Sequence, residues 1–457
     1  MKLAEKNIIY FIGIGGIGMS ALARHFNAQG KKVLGYDKTE TKLTKELVAE
    51  GIFVHYDDSV AAIPSIVLEQ KDNVVVVYTP AIPATHAGKN YLVEQGFVLY
   101  KRSEVLGELT KLLYNVSVSG THGKTTISSM VAHLFKTAEL SFSAFLGGVS
   151  KNLASNYLGN KDAEICVVEA DEYDRSFLRL YPDILVVSSV DADHLDIYGT
   201  GDKVVESFQL FTKNLKEKGI LIANSKVARN FDIPLLTYSL EDSTADYYAK
   251  KIRVENGAYC FDLMAKGKLI EGAQLGLPGL HNIENCIAAS AVAFEMGVTP
   301  QMIVKGLQTY QGVDRRFEIV VKNDKYVYID DYAHHPEELK RCISSLRHFF
   351  PGKKITGCFQ PHLFSRTRDF ADGFAESLSM LDELILLEIY PARELPMEGI
   401  NSKFLIDKVS ISNKKLCSKE EMLKEIEKRD IEVLVTVGAG DIGAMVNDVK
   451  KIIEAKA

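Results

Sequence analysis

Eight residues, Ser119-Gly120-Thr121-His122-Gly123-Lys124-Thr125-Thr126, constrain this chain more than any other segment. An apolar, β-rich run, Tyr114 to Val118, leads into them. Behind them, Ile127, Met130, Val131, Leu134, Phe135 and Ala138 recur at helical spacing, which predicts an amphipathic helix over Ile127 to Ala138. Strand, glycine-rich turn, Lys-Thr and helix together form the layout of a triphosphate cradle. Glycines let backbone N–H groups close on phosphate oxygens, and the helix N-terminus adds positive potential. Lys124 has the reach for β- and γ-phosphates, and the Thr125 hydroxyl can ligate Mg²⁺. The spacing Gly-x-x-Gly-Lys-Thr is two residues shorter than the usual Gly-x4-Gly-Lys-[Ser/Thr], which points to a subfamily. An ordinary strand-to-helix turn with a surface lysine would explain the Gly-Lys pair but not the whole arrangement.

A cradle of this kind needs a buried parallel sheet beneath it, and the chain has the means to build one. Its 457 residues suggest about three domains, with ample apolar content for real cores. A net charge of −6 argues against a polyanion binder such as a nucleic-acid protein, but not against a small anionic ligand. The six cysteines are scattered, with no Cys-x-x-Cys and no histidine at zinc spacing, which argues against structural disulfides and fits a reducing cytoplasm. The first residues lack a signal-peptide pattern, and no apolar stretch approaches the roughly 18 residues that span a bilayer. No membrane partner is therefore expected, and the oligomeric state is left open.

Alternating strand and helix patterns predict an α/β protein with parallel sheets in three segments, 1–105, 106–313 and 314–457. The first opens with strand Asn7 to Ile12, and Lys32 to Gly35 and Asn73 to Tyr78 follow. The second carries the phosphate loop, strands Ile165 to Val168, Ile184 to Ser188 and Gly219 to Ala223, a β-rich patch from Tyr247 to Gly272, and a helix over Asn282 to Met296. The third shows strands Tyr326 to Ile329, Lys354 to Phe359, Glu383 to Glu388 and Glu432 to Val437, with helices Pro336 to Phe349 and Asp369 to Ser379.

The first strand runs into Gly13-Ile14-Gly15-Gly16-Ile17-Gly18, and Asp37 follows about 20 residues later, the parts of a dinucleotide fingerprint. The physics says only that a pyrophosphate can approach the backbone there, and a UDP-sugar would serve as well as NAD. A second match, Gly438-x-Gly440-x-x-Gly443, reads better as a glycine-permitted turn, because only one short helix remains after it.

Carboxylates cluster where a phosphate loop wants a cation. The strand at Ile165 leads to Glu169-Ala170-Asp171-Glu172, and Glu169, read as the first residue past the strand, is the favoured Mg²⁺ ligand. The strand at Ile184 leads to Asp191-Ala192-Asp193-His194, a set suited to a second divalent ion. Later come His281-Asn282 with Asn285 one turn on, where an amide can either cap a helix or read a base edge. Arg315-Arg316 sits at an expected domain junction, where it is either a solvated charge pair or a phosphate clamp delivered across a cleft. Two further strand ends carry Asp330-Asp331-Tyr332-Ala333-His334-His335-Pro336 and Gln360-Pro361-His362-Leu363-Phe364-Ser365-Arg366.

In this order, Gly-Thr-His-Gly-Lys-Thr-Thr, Glu-Ala-Asp-Glu, Asp-Ala-Asp-His, Leu-Pro-Gly-x-His-Asn, Arg-Arg-Phe-Glu, Asp-Asp-Tyr-Ala-His-His-Pro and Gln-Pro-His-x-Phe-Ser-Arg-Thr resemble the Mur ligase family of peptidoglycan synthesis over nearly the whole chain. The resemblance implies a Rossmann-like N-terminal domain for UDP, a central P-loop-type ATPase domain, and a Rossmann-like C-terminal domain that brings the amino acid. It implies ATP, two Mg²⁺ ions and a bacterial cytoplasm. The opening Gly-Ile-Gly-Gly-Ile-Gly-Met points to the branch that joins L-alanine to UDP-N-acetylmuramate through an acyl phosphate.

By that resemblance, Gly120 to Thr126 hold ATP, Lys124 and the Arg315-Arg316 pair neutralise charge in transfer, and His122 lies near the substrate carboxylate. Thr125 and Glu169 hold one Mg²⁺ and His194 the other. His281, Asn282 and Asn285 line the adenine pocket, with Arg316 beside the nucleotide and Asp331 at its ribose. Gly13, Gly15, Gly16, Ile17 and Gly18, with Asp37, take the UDP moiety. Tyr332, His334, His362 and Arg366 surround the amino acid, His334 counting also among the catalytic groups.

Two departures stand out. Leu363 occupies the position where many relatives carry arginine, so carboxylate capture falls to Arg366 or Arg368. Tyr78-Thr79-Pro80-Ala81-Ile82 replaces a more usual Ser-Ser-Ala-Ile, which bears on how the sugar or diphosphate is held. The competing readings are a recycling ligase that adds a preformed muramyl peptide, an NAD-dependent oxidoreductase built on the glycine fingerprints, and a non-catalytic nucleotide-binding regulator.

Overall fold

A computed structural model describes residues 3–192, 195–255, 257–392 and 394–456. Three sheets organise them. The first contains β1 (Ile8–Ile12), β2 (Lys32–Tyr36), β3 (Phe53–His55), β4 (Val74–Tyr78) and β5 (Leu99–Lys101), in spatial order β3-β2-β1-β4-β5. All its pairings are parallel, as expected of near-continuous apolar runs such as Ile-Ile-Tyr-Phe-Ile and Val-Val-Val-Val-Tyr that must be covered on both faces. Ile12 is in register with both Tyr36 and Tyr78, so the residues after β1, β2 and β4 emerge side by side at one edge.

The second sheet contains β6 (Tyr114–Ser119), β7 (Phe142–Ser150), β8 (Ser155–Leu158), β9 (Ile165–Glu169), β10 (Ile184–Val187), β11 (Ile220–Asn224), β12 (Leu235–Ser239), β13 (Tyr247–Glu255), β14 (Ala258–Ala265) and β15 (Lys268–Leu275). Their order is β15-β14-β13-β12-β11-β10-β6-β9-β7-β8. The chain enters at β6 and builds outward on both sides, so the phosphate loop leaves the sheet where the winding direction reverses, the usual place for a ligand in such sheets. The antiparallel pair β7–β8 had no counterpart among the expected strands.

The third sheet contains β16 (Glu318–Lys322), β17 (Val327–Asp331), β18 (Ile355–Phe359), β19 (Glu383–Leu386), β20 (Lys414–Leu416) and β21 (Val433–Val437), in order β16-β17-β21-β18-β19-β20, with β16 antiparallel to the rest. Asp331, Val437 and Phe359 share a register, which aligns the polar segments that follow them. The expected helix Pro336 to Phe349 is present as read, the expected Asp369 to Ser379 is the helix Ala371–Leu378, and a further helix, Phe364–Asp369, precedes it.

Packing divides the chain into two compact units. One holds residues 1–254, 260–275 and 284–311, and thus the first sheet and nearly all of the second; the other holds 255–259, 276–283 and 312–457. A continuous apolar core explains why the first two sheets form one body: Leu22 and Phe26, from the helix Ile17–Ala28, share a cluster with Phe145, Tyr157 and Cys166 of the second sheet. Polar contacts fasten the same helix. Buried Arg24 pairs with Glu46 and Glu50 and also donates to Asn156, while Asn156 donates to the Ile17 carbonyl and to Ser20 Oγ at 2.9 Å. His25 Nδ1 lies 3.0 Å from the Tyr157 hydroxyl. Burial pushes the His25 pKa down to about 4, with the Lys31 charge adding to the effect, so the ring is neutral. All six cysteines are buried, and none is joined in a disulfide. Among the described residues no helix is long and apolar enough to cross a membrane.

Candidate functional site

The phosphate loop forms because two of its residues must be glycine. Gly120 has φ +134°, and a Cβ there would sit 2.1 Å from Ser188 Oγ. Gly123, at φ +82°, is left-handed and starts the helix, which runs from Lys124 to Thr137. The helix therefore begins three residues before the expected Ile127, because apolar periodicity marks only the buried face and the first turn faces the loop. Its free N–H groups open toward the loop, the arrangement an anion requires.

Each side chain of the loop has a defined partner. Lys124 Nζ donates to the Gly120 carbonyl at 2.7 Å and lies 2.9 and 2.8 Å from the two carboxylate oxygens of Glu172. Burial opposes the charge on Lys124, but the carboxylates of Glu172, Asp171 and Glu169 outweigh it and hold its pKa above the ordinary lysine value. The Thr125 hydroxyl donates to Glu169 Oε1 at 3.0 Å, and the Gly147 N–H donates to Glu169 Oε2 at 3.0 Å. Glu169 is the last residue of β9, not the first beyond it, because its backbone still pairs with Val118. A hydroxyl facing a carboxylate at a phosphate loop is a hard-oxygen donor set that fits Mg²⁺. His194, read as the ligand of a second ion, lies outside the described residues.

The sequence reading missed the two serines that brace this loop. Ser189 Oγ accepts from the His122 N–H at 2.9 Å and lies 2.8 Å from Thr121 Oγ1, and Ser188 Oγ bonds the His122 carbonyl. The His122 ring is buried, with Nε2 3.4 Å from Asp191 Oδ2. Position was the available signal: Ser188 and Ser189 directly follow β10, the strand beside β6. Asn285 also reaches this loop, its Oδ1 2.6 Å from where a Gly123 Cβ would stand. The other two residues read as adenine contacts belong to the second compact unit. There Asn282 donates to the Pro278 carbonyl at 2.7 Å, and His281 Nδ1 lies 3.2 Å from Ser345 Oγ. Burial holds His281 neutral, its pKa pushed down to about 4.

At the first sheet, Gly13 and Ile14 donate to the Tyr36 carbonyl, and Asp37 Oδ2 accepts the Gly15 N–H at 2.7 Å. The helix Ile17–Ala28 follows with Gly16 at its N-cap, so Gly13 to Gly18 and Asp37 do assemble at one edge. Thr79, from the departing Tyr78-Thr79-Pro80 segment, packs against Gly13, its methyl 2.6 Å from the position of an added Cβ. Arg102 was overlooked: its guanidinium lies 2.9 Å from where a Gly18 Cβ would be, a cation beside an anion-suited turn.

In the second unit the arginine pair divides. Arg315 Nε donates to the buried Asp330 at 3.0 Å and its Nη2 to the Gly438 carbonyl at 2.7 Å, so this guanidinium is committed to its own sheet. Arg316 lies over the Tyr332 ring at 5.1 Å, as Arg315 does. Asp331 accepts the Phe317 and Ala333 N–H groups at 2.7 Å each. Burial nevertheless raises its pKa to about 6, against the lowering effect of Arg316 and those two bonds.

Tyr332, His334 and His362 come together, with ring centroids 5.4 and 6.0 Å from His334. His334 Nδ1 faces the Tyr332 carbonyl at 3.0 Å, which places the proton there and leaves Nε2 an acceptor. Its pKa is pushed down to about 4 by burial first, with the Arg366 and Arg316 charges assisting and Glu338 opposing. Tyr390, unforeseen, stacks on His362 at 5.7 Å. Leu363 has φ +70° and its N–H donates to the Tyr390 carbonyl at 2.9 Å, so the residue that departs from the family pattern also sits in strained backbone. The helix Phe364–Asp369 that follows carries Arg366.

With this geometry in hand, the comparisons with known proteins are consistent along the chain. Residues 8–114 match the Mur ligase family catalytic domain, residues 118–293 the Mur ligase middle domain, and residues 315–442 the glutamate ligase domain of Mur ligases. The chain is 47% identical over 454 residues to the UDP-N-acetylmuramate–L-alanine ligase of Flavobacterium johnsoniae, covering 99% of each, and 48% identical over 463 residues to that of Cytophaga hutchinsonii, covering 100% and 99%. Its fold is similar to the crystal structure of UDP-N-acetylmuramate-alanine ligase from Thermotoga maritima, with a TM-score of 0.81 and 26% identity over 98% of this chain and 99% of that one. A murein peptide ligase from Psychrobacter arcticus shares the fold at a TM-score of 0.72 and 20% identity, with 98% of each chain covered.

Proposed function

Since the chain belongs to the Mur ligase family, we propose that it joins L-alanine to the lactyl carboxylate of UDP-N-acetylmuramate at the expense of ATP, giving ADP and phosphate. A carboxylate is a poor electrophile. Its oxygen attacks the γ-phosphorus of ATP, the bond to the β-phosphate oxygen breaks, and an acyl phosphate results. The alanine amine then attacks the acyl carbon, and phosphate leaves from the tetrahedral intermediate. The observation that carries this reading is Lys124 in a glycine cradle, with Thr125 and Glu169 facing each other 3.0 Å apart beside it.

The protein's part is positioning and charge. Gly120 to Thr126 receive the phosphates and Lys124 offsets the charge that moves between β- and γ-oxygens. Thr125 and Glu169 would hold Mg²⁺, which supplies further charge neutralisation when bound; His194 is the candidate for a second ion. His122 orients the substrate carboxylate. Asn285 reaches the nucleotide from beside the loop, and by family resemblance His281, Asn282 and Asp331 are further nucleotide-binding residues. The turn Gly13 to Gly18, with Asp37, takes the UDP diphosphate. Arg316 rather than Arg315 supplies the guanidinium, because Arg315 is spent on Asp330 and Gly438. Tyr332, His334, His362 and Arg366 receive the amino acid, with the bare Nε2 of His334 available to its ammonium. On this reading segments 1–105, 106–313 and 314–457 handle UDP-sugar, ATP and amino acid in turn, in a bacterial cytoplasm.

One assay tests it. Enzyme, MgATP and UDP-N-acetylmuramate are mixed with L-alanine, glycine, L-serine or a muramyl tripeptide, and phosphate release and product mass are followed. Turnover with L-alanine is expected. Turnover with the tripeptide alone would transfer the chain to peptide recycling, and NAD(P)⁺ reduction without ATP dependence would make it an oxidoreductase.

A further inference from the structure

The ammonium of Lys124 is already engaged within the protein: it donates to the Gly120 carbonyl at 2.7 Å and to Glu172 Oε1 at 2.9 Å, and its nitrogen lies 2.8 Å from Glu172 Oε2. Phosphate oxygens would need those same donors. Glu172 is not a surface side chain that happens to lie nearby. Its side chain is 1% exposed, it leads the 3₁₀ stretch Tyr173–Arg179, and its backbone carbonyl is tied down by the Tyr198 hydroxyl at 2.6 Å. It is also distinct from the carboxylate suited to magnesium, since Glu169 is engaged by Thr125 and Gly147.

We propose that Glu172 is a built-in stand-in for the terminal phosphates: it holds Lys124 while the loop is empty and yields the ammonium to a nucleoside triphosphate by exchange of ion-pair partners. The proposal rests on the nucleotide reading above. A buried ammonium without a counter-ion would be strongly disfavoured, so an empty loop needs an internal anion to keep Lys124 charged and in place. A carboxylate presenting two oxygens does this with the same donors that a phosphate uses. The arrangement also weakens triphosphate binding, because the loop is competent only in the fraction of molecules where Lys124 has let go. No bond is made or broken in the exchange.

The experiment uses the full chain and its Glu172→Gln, Lys124→Ala and doubly substituted variants. Affinity for the magnesium complex of a non-hydrolysable ATP analogue is measured by calorimetry, and the melting temperature is recorded without nucleotide. Glutamine still accepts a hydrogen bond but carries no charge. Glu172→Gln should bind the analogue tighter by about tenfold, the size expected when a competing conformer is removed, and should melt earlier without nucleotide. The tightening should vanish in the Lys124→Ala background. Unchanged or weaker affinity in Glu172→Gln, or equal tightening without Lys124, overturns the proposal. Should Glu172→Gln not fold, Glu172→Asp, with a shorter reach to Lys124, should shift affinity the same way by less, and no shift would overturn it. Wild-type protein that binds no nucleotide would defeat the reading itself, whereas wild type that binds and a variant that binds no tighter defeats this inference alone.

Discussion

Two turns in this chain have the same glycine spacing and different surroundings. At Gly438–Gly443 the room left by missing side chains is taken by the protein. A Cβ on Gly440 would lie 2.4 Å from Gln360 Oε1, and one on Gly443 would lie 2.3 Å from the Arg315 guanidinium. Arg315 is fixed there by Asp330 and the Gly438 carbonyl, and the backbone continues into a short 3₁₀ stretch, Asp441–Met445. At Gly13–Gly18 side chains also approach Gly13, Gly15 and Gly18, but Gly16 meets nothing closer than 3.6 Å, and a helix of 12 residues starts behind it. Glycine spacing therefore announces a close approach without naming the visitor. The charged groups and helix length around the turn decide whether that visitor is a ligand or a side chain.

Four tests would break or sharpen this contrast. The largest effect is expected from Lys124→Ala, which should lower turnover by roughly a thousandfold or more, as for loss of a main charge-stabilising group. UDP-N-acetylmuramate affinity should stay within a few fold, because the site proposed for that ligand is the other glycine turn; calorimetry beside phosphate-release kinetics checks both. Next, Arg315→Ala should cost about 3 kcal/mol of stability in urea unfolding, since it strands the carboxylate of a fully buried Asp330. Unaltered stability would mean that the last glycine turn is not filled for structural reasons.

The third concerns acid. His25 holds the helix behind the first turn, and burial depresses its folded pKa to about 4, below the unfolded value near 6.5. Its contribution is present above pH 6.5 and lost as pH falls through 4, so stability should decline across that window, by roughly 3 kcal/mol from this group. His25→Gln should flatten that part of the profile relative to wild type, leaving the parallel contributions of His281 and His334. The smallest effect is a paired one. Gly443→Ala should destabilise by about 1 to 2 kcal/mol through overpacking against a pinned Arg315. Gly16→Ala should stay within about 0.5 kcal/mol yet bind UDP-N-acetylmuramate more weakly. Equal stability losses in the two would erase the distinction between the turns.

What the sequence made legible was local. Ile8–Ile12, Val74–Tyr78 and Val433–Val437 appear within a residue or so of their expected limits because β-branched runs bounded by polar or glycine residues leave few alternatives. The edge pair Phe142–Ser150 and Ser155–Leu158 escaped notice because Gly147, Gly148 and the neighbouring serines dilute its pattern, in a stretch reading Phe-Leu-Gly-Gly-Val-Ser. The helix Phe364–Asp369 was hidden behind a strained Leu363, with no capping side chain to mark its start. At the site, residue types at strand ends pointed to Lys124, Thr125 and Glu169. The partners that decide their state were not readable: Glu172 is 48 positions from Lys124, and Asp330 is 15 from Arg315. Such pairings are products of sheet order, which no spacing along the chain encodes.

The bonds from Arg24 to Asn156 and from His25 to Tyr157 give the first sheet an unusual status. Its principal helix is finished by residues that the chain supplies more than a hundred positions later, from a hairpin at the far edge of the next sheet. A fragment ending after the first sheet would leave the guanidinium without Asn156, the imidazole without Tyr157, and Phe26 facing water. The segment that looks most like an interchangeable nucleotide-binding cassette is thus not portable. Grafting it onto another scaffold would require carrying Phe142–Leu158 along, or redesigning the helix face that this hairpin covers.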